Sequence, residues 1–152
     1  MERYKEEEEE EIILKTLCSG IIGPTDGSLI IKQTSWVVDK YLENLKESTP
    51  TEKTDVRIDT NGGVPATISL IFGAYEKDFR QICLTQSQIV ELCIEKPSFI
   101  IKNLPIFTVL PTKQNDFSVV SFTMSAGGVW FFRSIYWWSF EVFRDIHLLV
   151  KA

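Results

Sequence analysis

Apolar positions recur at two different periods along this chain, and the changes of period mark out its elements. Residues 12–22 are mostly apolar with few charges and predict a strand. Gly23-Pro24-Thr25-Asp26-Gly27 joins the fixed φ of proline to the permissive φ of glycine and predicts a turn. A short strand follows at 28–32. Thr34 or Ser35 can cap a helix running to about Glu47, with Val38, Tyr41, Leu42 and Leu45 as its buried stripe. Residues 48–54, with Ser48, Thr49, Pro50 and Thr51, read as a linker.

After the linker the period becomes two. Val56 and Ile58 alternate with Asp55, Arg57 and Asp59, and Asn61-Gly62-Gly63 predicts a hairpin turn. Ile68, Leu70 and Phe72 continue as a strand, a turn covers roughly 73–78, and 79–84 forms another strand. Thr85 caps a helix with Gln88 at the capping-box position; Ile89, Leu92 and Cys93 are its buried side, and it ends before Pro97. The same grammar recurs. Residues 99–110 are strand-like, although Pro105 demotes their centre. Residues 118–125 form a strand with Val120, Phe122 and Met124 on one face, Ala126-Gly127-Gly128 turns the chain, 129–137 is a strand, and about 139–150 is a helix. The expected fold is α+β: antiparallel β meanders, each followed by a helix, with the helices packed on one face of the sheet. Its expected parts are an arm at 1–11, a strand-turn-strand-helix unit at 12–47, the linker 48–54, and a main domain at 55–152.

Phe79-Arg80-Gln81-Ile82-Cys83-Leu84 aligns with Phe132-Arg133-Ser134-Ile135-Tyr136-Trp137, and Gln88-Ile89 then falls on Glu141-Val142. One reading is an internal duplication, 55–97 and 99–150. The other is that any two amphipathic strand–helix junctions look alike. Strands running into a helix through Ile82-Cys83-Leu84-Thr85-Gln86-Ser87-Gln88-Ile89 resemble the Whirly and Pur-alpha-like superfamily of single-stranded nucleic-acid binders. In the second copy Trp138 stands where threonine belongs. The resemblance implies a strand-binding surface on the sheet face opposite the helices.

Alternation supplies candidates for that surface. If Arg80, Ile82 and Leu84 face the helices, then Trp130, Phe132, Ser134 and Tyr136 face away. Trp130, Phe132 and Tyr136 would then stack on bases, each stack contributing roughly 1–3 kcal/mol. Arg57 and Tyr75 would extend the platform, and Arg57, Lys77 and Lys113 would meet phosphates. The alternative is that these rings are core, or an interface in an acidic protein-interaction module such as an inhibitor, immunity-type protein or assembly subunit.

Charge changes this picture only in part. The chain has 152 residues and a formal net charge of −5. The whole excess of acid lies in residues 1–53, mainly in six consecutive glutamates at 6–11, while 54–152 is balanced. No basic stripe marks a polynucleotide binder. The acidic start predicts no secretory leader, and no stretch is long and apolar enough for a spanning helix. Cys18, Cys83 and Cys93 are odd in number and widely spaced, which fits a reduced, intracellular setting. No enzyme constellation is expected: His147 is the one histidine, placed late in the last expected helix as a dipole partner. No metal set, phosphate loop or cofactor motif is present in the sequence. The expected function is therefore non-enzymatic binding of single-stranded nucleic acid or of a protein partner, in a homo-oligomer.

Overall fold

Two apolar stretches without a polar face lie at the middle of a sheet that is covered on both sides. The computed structural model describes residues 11–31, 34–135, 141–142 and 144–152. In chain order the strands are β1 Lys15–Ile22, β2 Val37–Val38, β3 Thr54–Thr60, β4 Ala66–Thr67, β5 Ile106–Pro111, β6 Phe117–Met124, β7 Trp130–Ile135, β8 Glu141–Val142 and β9 His147–Lys151. The α-helices among the described residues are α1 Ile68–Gly73, α2 Gln86–Glu95 and α3 Pro97–Ile101, with 3-10 turns at Lys40–Asn44 and Phe79–Gln81. Seven strands form a mixed sheet in the order β1-β3-β9-β5-β6-β7-β2, and β4 and β8 pair separately. The central β5 and β9 are buried throughout their cores, as strands covered on both faces must be.

This architecture corrects the expected one. The described structure is dominated by a mixed sheet, not by helix-packed meanders, and its helices are few and short. They also lie on both faces. On one side α2 and α3 pack with Ile31, Leu42 and Leu45 over Ile58, Leu149, Ile106 and Phe122. On the other, Ile68, Ile71 and Phe72 of α1 pack with Ile82 and Ile146 over Leu148, Val150, Phe107, Val109 and Val119. The duplication fails with the meander: Phe79–Gln81 is a 3-10 turn, whereas its expected counterpart Phe132 lies within strand β7.

Several local expectations also change. The helix expected over 34–47 is β2 followed by the turn Lys40–Asn44, capped by Asp39, whose carboxylate accepts from Tyr41 N–H at 3.0 Å. The strand expected at 68–72 is α1, opened by Thr67, whose Oγ1 accepts from Leu70 N–H at 3.3 Å. The last helix is replaced by strand β9, inserted antiparallel to β3 and parallel to β5. Gly62 and Gly63 have φ of +73° and +80°, as a turn requires, but β3 does not double back on a neighbour there. Instead the fully buried Asn61 accepts from Ile146 N–H at 2.9 Å and anchors the entry to β9.

The expected N-terminal unit belongs to the same sheet. β1 pairs antiparallel with β3 from Lys15↔Thr60 to Ile22↔Thr54. The stretch read as a linker is tied down by two backbone bonds between Thr25 and Thr51, at 3.0 and 2.9 Å. The start of α2 completes this attachment. Thr85 and Gln88 form the expected capping box. Gln86, buried, accepts from Ile31 N–H and donates to Lys46 O, both at 2.9 Å. Ser87 N–H donates to Ser48 Oγ at 3.0 Å, Ser87 Oγ donates to Leu29 O, and Gln88 Nε2 donates to Thr54 Oγ1 at 2.9 Å. Three consecutive polar side chains thus hold Leu29, Ile31, Lys46, Ser48 and Thr54 against the helix. No helix among the described residues is long and apolar enough to cross a membrane.

Candidate interaction surface

Two of the three rings expected to form a stacking platform are inside. Trp130 is 4% exposed and Phe132 1% exposed, and both pack in the core that α2 covers. The expected parity rested on a strand at 79–84; that segment is a turn, so it transfers no facing to β7. The flat partner that Phe132 receives comes from this chain: Trp36 stacks on it at 5.5 Å and Phe122 at 5.3 Å, each with an interplanar angle of 18°. Tyr136 lies outside the described residues.

Two of the remaining candidates do come together. Arg57 stands over the Tyr75 ring, 5.8 Å from its centroid. Both are held by Asp59, a carboxylate 2% exposed on its side chain. Asp59 accepts from Arg57 Nε at 2.9 Å, from Tyr75 OH at 2.6 Å and from Thr16 Oγ1 at 2.9 Å. This cluster ties β1, β3 and the turn after α1, and its acceptors are satisfied from within. Lys77 is exposed in the next turn. Lys113 is exposed in the β5–β6 loop, where its N–H donates to Asn44 O at 2.9 Å. The four do not make one basic surface: Arg57 is neutralised by Asp59, and Lys113 lies beyond the end of β5, two strands away from β3.

Burial pushes the Tyr75 hydroxyl far above the ordinary tyrosine range, and its bond to Asp59 acts in the same direction. Burial likewise raises the thiols of Cys93 and Cys83. All three are neutral when protonated. The stability they contribute is therefore complete below their unfolded values and is lost as pH rises past those values. We expect the urea midpoint to be level up to about pH 8 and to fall above about pH 9, as the unfolded thiols and then the unfolded tyrosine ionise. A midpoint unchanged to about pH 11 contradicts this.

His147 sits on β9, not on a helix, with Nδ1 2.8 Å from Asn103 O, which makes Nδ1 the donor. A cavity of about 680 Å³ is lined by Asp39, Tyr41, Asn44, Asp116, Phe117 and Ser134 among others. Its carboxylates already serve the backbone: Asp39 accepts from Tyr41 N–H at 3.0 Å and Ser134 N–H at 3.3 Å, and Asp116 from Phe117 N–H at 2.8 Å.

The sheet edges differ sharply. β2 closes one edge with only two residues. β1 closes the other with eight, and among the described residues nothing pairs with its outer side. Edges are normally blunted by charge, proline, bulges or brevity. Here Lys15 opens the strand, the register slips between Thr16 and Cys18, and Lys96 Nζ donates to Ile21 O at 2.8 Å. Residues 18–22 nonetheless carry no charge and no bulge. Leu17 is 47% and Ile21 40% exposed, and Ile13, just before the strand, is 59% exposed. Sequence reasoning found this strand but not its place at the edge, because periodicity carries no strand order. Neither a protein-family signature, nor a curated protein, nor a solved structure matches the chain.

Proposed function

We propose that this protein is a non-enzymatic interaction module that receives an extended strand of a protein partner on the outer edge of β1. The observation that carries the reading is an eight-residue edge strand with exposed Leu17 and Ile21, on whose outer side no strand pairs among the described residues. Strand addition draws affinity from main-chain hydrogen bonds and specificity from alternate side chains, and both are on offer here. A stacking mode for single-stranded nucleic acid loses Trp130 and Phe132 to the core, and the contact surface moves from the aromatic strand β7 to β1. Free Cys18, Cys83 and Cys93 support a reducing, intracellular setting.

A photoreactive benzophenone side chain placed at Leu17, in cell extract, should give a discrete protein adduct. The same group at the exposed Tyr41, near the opposite edge, should not. Equal adducts at both positions, or none at Leu17, would remove the proposal. Cross-linking of an oligonucleotide in their place would restore the polynucleotide reading.

A further inference from the structure

We infer that the strand received at β1 is the β1 strand of a second copy of this chain, so that two seven-stranded sheets join antiparallel about a two-fold axis at Gly20. The inference rests on the β1-edge reading above and adds the identity of the partner. Its starting point is which backbone groups of β1 turn outwards. Ala152 N–H donates to Asp55 O at 2.8 Å, so Asp55 turns its carbonyl to the β9 side of β3. Successive residues of an antiparallel ladder bond to alternate sides. Thr54, Val56 and Ile58 therefore serve β1, and their partners Ile22, Gly20 and Cys18 face back to β3. Ser19 and Ile21 are left with their N–H and C=O groups on the open edge. Lys96 Nζ reaches Ile21 O there, at 2.8 Å, and a carbonyl with two lone pairs keeps one for a partner.

Ser19 and Ile21 are spaced as a self-complementary edge requires. An isologous contact sets one patch against itself. With Ser19 opposite Ile21 of the second copy, and Ile21 opposite its Ser19, two hydrogen-bonded pairs form, each exchanging both N–H···O=C bonds. This register stays within residues 18–22, clear of the irregularity between Thr16 and Cys18. Setting Ser19 against Ser19 instead would place Ile21 against Leu17, at that irregularity, and keep only one regular pair. Cys18 and Ile22 turn towards the core under α2, so Ile21 lies on the other face. There the two exposed Ile21 side chains become diagonal neighbours, and the small Ser19 opposite each leaves them room.

On the α2 face the two Gly20 residues meet across the axis as a non-hydrogen-bonded pair, with Cα atoms about 4.5 Å apart. The Phe99 ring covers this glycine: a Cβ there would lie 3.0 Å from Phe99 Cε1. The ring is half-buried in one copy, and the join brings the two rings together over the paired edge. Charge also selects the partner. From Thr16 to Thr25 there is no charged residue, so an uncharged strand fits this stretch without burying a charge, and β1 is itself such a strand. In the same register Lys15 falls level with Thr25 of the second copy. The two Lys15 then stand about 34 Å apart, several Debye lengths at physiological salt, so the charged starts of the strands are not brought together.

Sedimentation equilibrium of the full chain across the micromolar range tests this, and we expect a reversible dimer. Ile21→Lys, at an exposed position, should raise its dissociation constant about tenfold for each of the two lysines introduced, about a hundredfold in all. Ser19→Pro should weaken the dimer as well, since it removes an N–H that faces outwards and spares the β1–β3 ladder. Tyr41→Lys, exposed near the opposite edge, should leave it unchanged. Amide exchange reads the register. The amides of Ser19 and Ile21 should slow as protein concentration rises, whereas those of Gly20 and Ile22, already bonded to β3, should not change. A dimer indifferent to both Ile21→Lys and Ser19→Pro, or one whose newly protected amides lie elsewhere, overturns the join at β1. A chain that stays monomeric, yet gives the benzophenone adduct at Leu17 with a different protein, overturns the second copy while the edge reading stands. A monomer without that adduct removes both.

Discussion

Truncating Phe132 to alanine will destabilise the protein by about 3–5 kcal/mol, the cost of removing a fully buried aromatic side chain whose neighbours cannot collapse into the gap. The ring is 1% exposed and stacks with two others, Trp36 and Phe122, with Trp130 tilted against both of those neighbours at 6.1 and 6.3 Å. Phe122 and Phe132 sit opposite each other in the β6–β7 ladder, while Trp36 arrives from the segment before β2. The vacated space is bounded by two elements of the sheet and one outside it, so no single movement can fill it. Beyond the lost area, each aromatic pair contributes about 0.5–1.5 kcal/mol. Urea unfolding measures the change, with Arg133→Ala, at an exposed position on the same strand, as a control expected to stay within about 0.5 kcal/mol. A loss below about 1 kcal/mol for Phe132→Ala would return the ring to the surface and revive the stacking platform.

Local chemistry in this chain was legible where neighbours in sequence decide it. Thr85 and Gln88 are three residues apart, and their capping box needs nothing from elsewhere. The hairpin between β6 and β7 is likewise closed by its own residues, with Ser125 N–H donating to Val129 O at 2.9 Å and Gly128 at φ +85°. Periodicity misled where both readings fit. Ile68, Ile71 and Phe72 are buried and Leu70 is 58% exposed, a helical spacing that the alternation of Ile68, Leu70 and Phe72 masks in the sequence. His147–Lys151 is apolar on both faces, and such a run cannot be assigned between strand and buried helix by period alone. Strand order was beyond reach: β9 reaches the centre of the sheet through contacts such as Asn61 with Ile146, 85 residues apart. The edge status of β1 and the burial of Trp130 and Phe132 on β7 both follow from that order. This is why the candidate surface moved from Trp130 and Phe132 to Leu17 and Ile21.

Asp59→Ala should cost about 3 kcal/mol, because it breaks a buried ion pair from the side that holds all its partners. Asp59 is 2% exposed on its side chain and Arg57 30%, so the arginine left behind can turn partly to water, which keeps the cost at the lower end of the range for such pairs. The two neutral donors are less free. Tyr75 OH and Thr16 Oγ1 lose the acceptor they share, at 2.6 and 2.9 Å. Asp59→Asn should be milder, about 1–2 kcal/mol. Its carbonyl can still serve Arg57 and Tyr75, and its amide can donate to Thr16, whose hydroxyl is able to accept. Because the three donors converge on one carboxylate, Asp59→Ala and Tyr75→Phe should be non-additive, with a coupling of at least about 0.5 kcal/mol in a double-mutant cycle. The consequence reaches the candidate surface. Thr16 flanks the irregularity in β1, and its bond to Asp59 fixes the strand to β3 at the pair Thr16↔Asp59. Amide exchange at residues 15–18 should therefore quicken in Asp59→Ala well before that of the central β5. Uniform acceleration across both strands, or none in β1, would show that the carboxylate supports global stability without holding the edge in place.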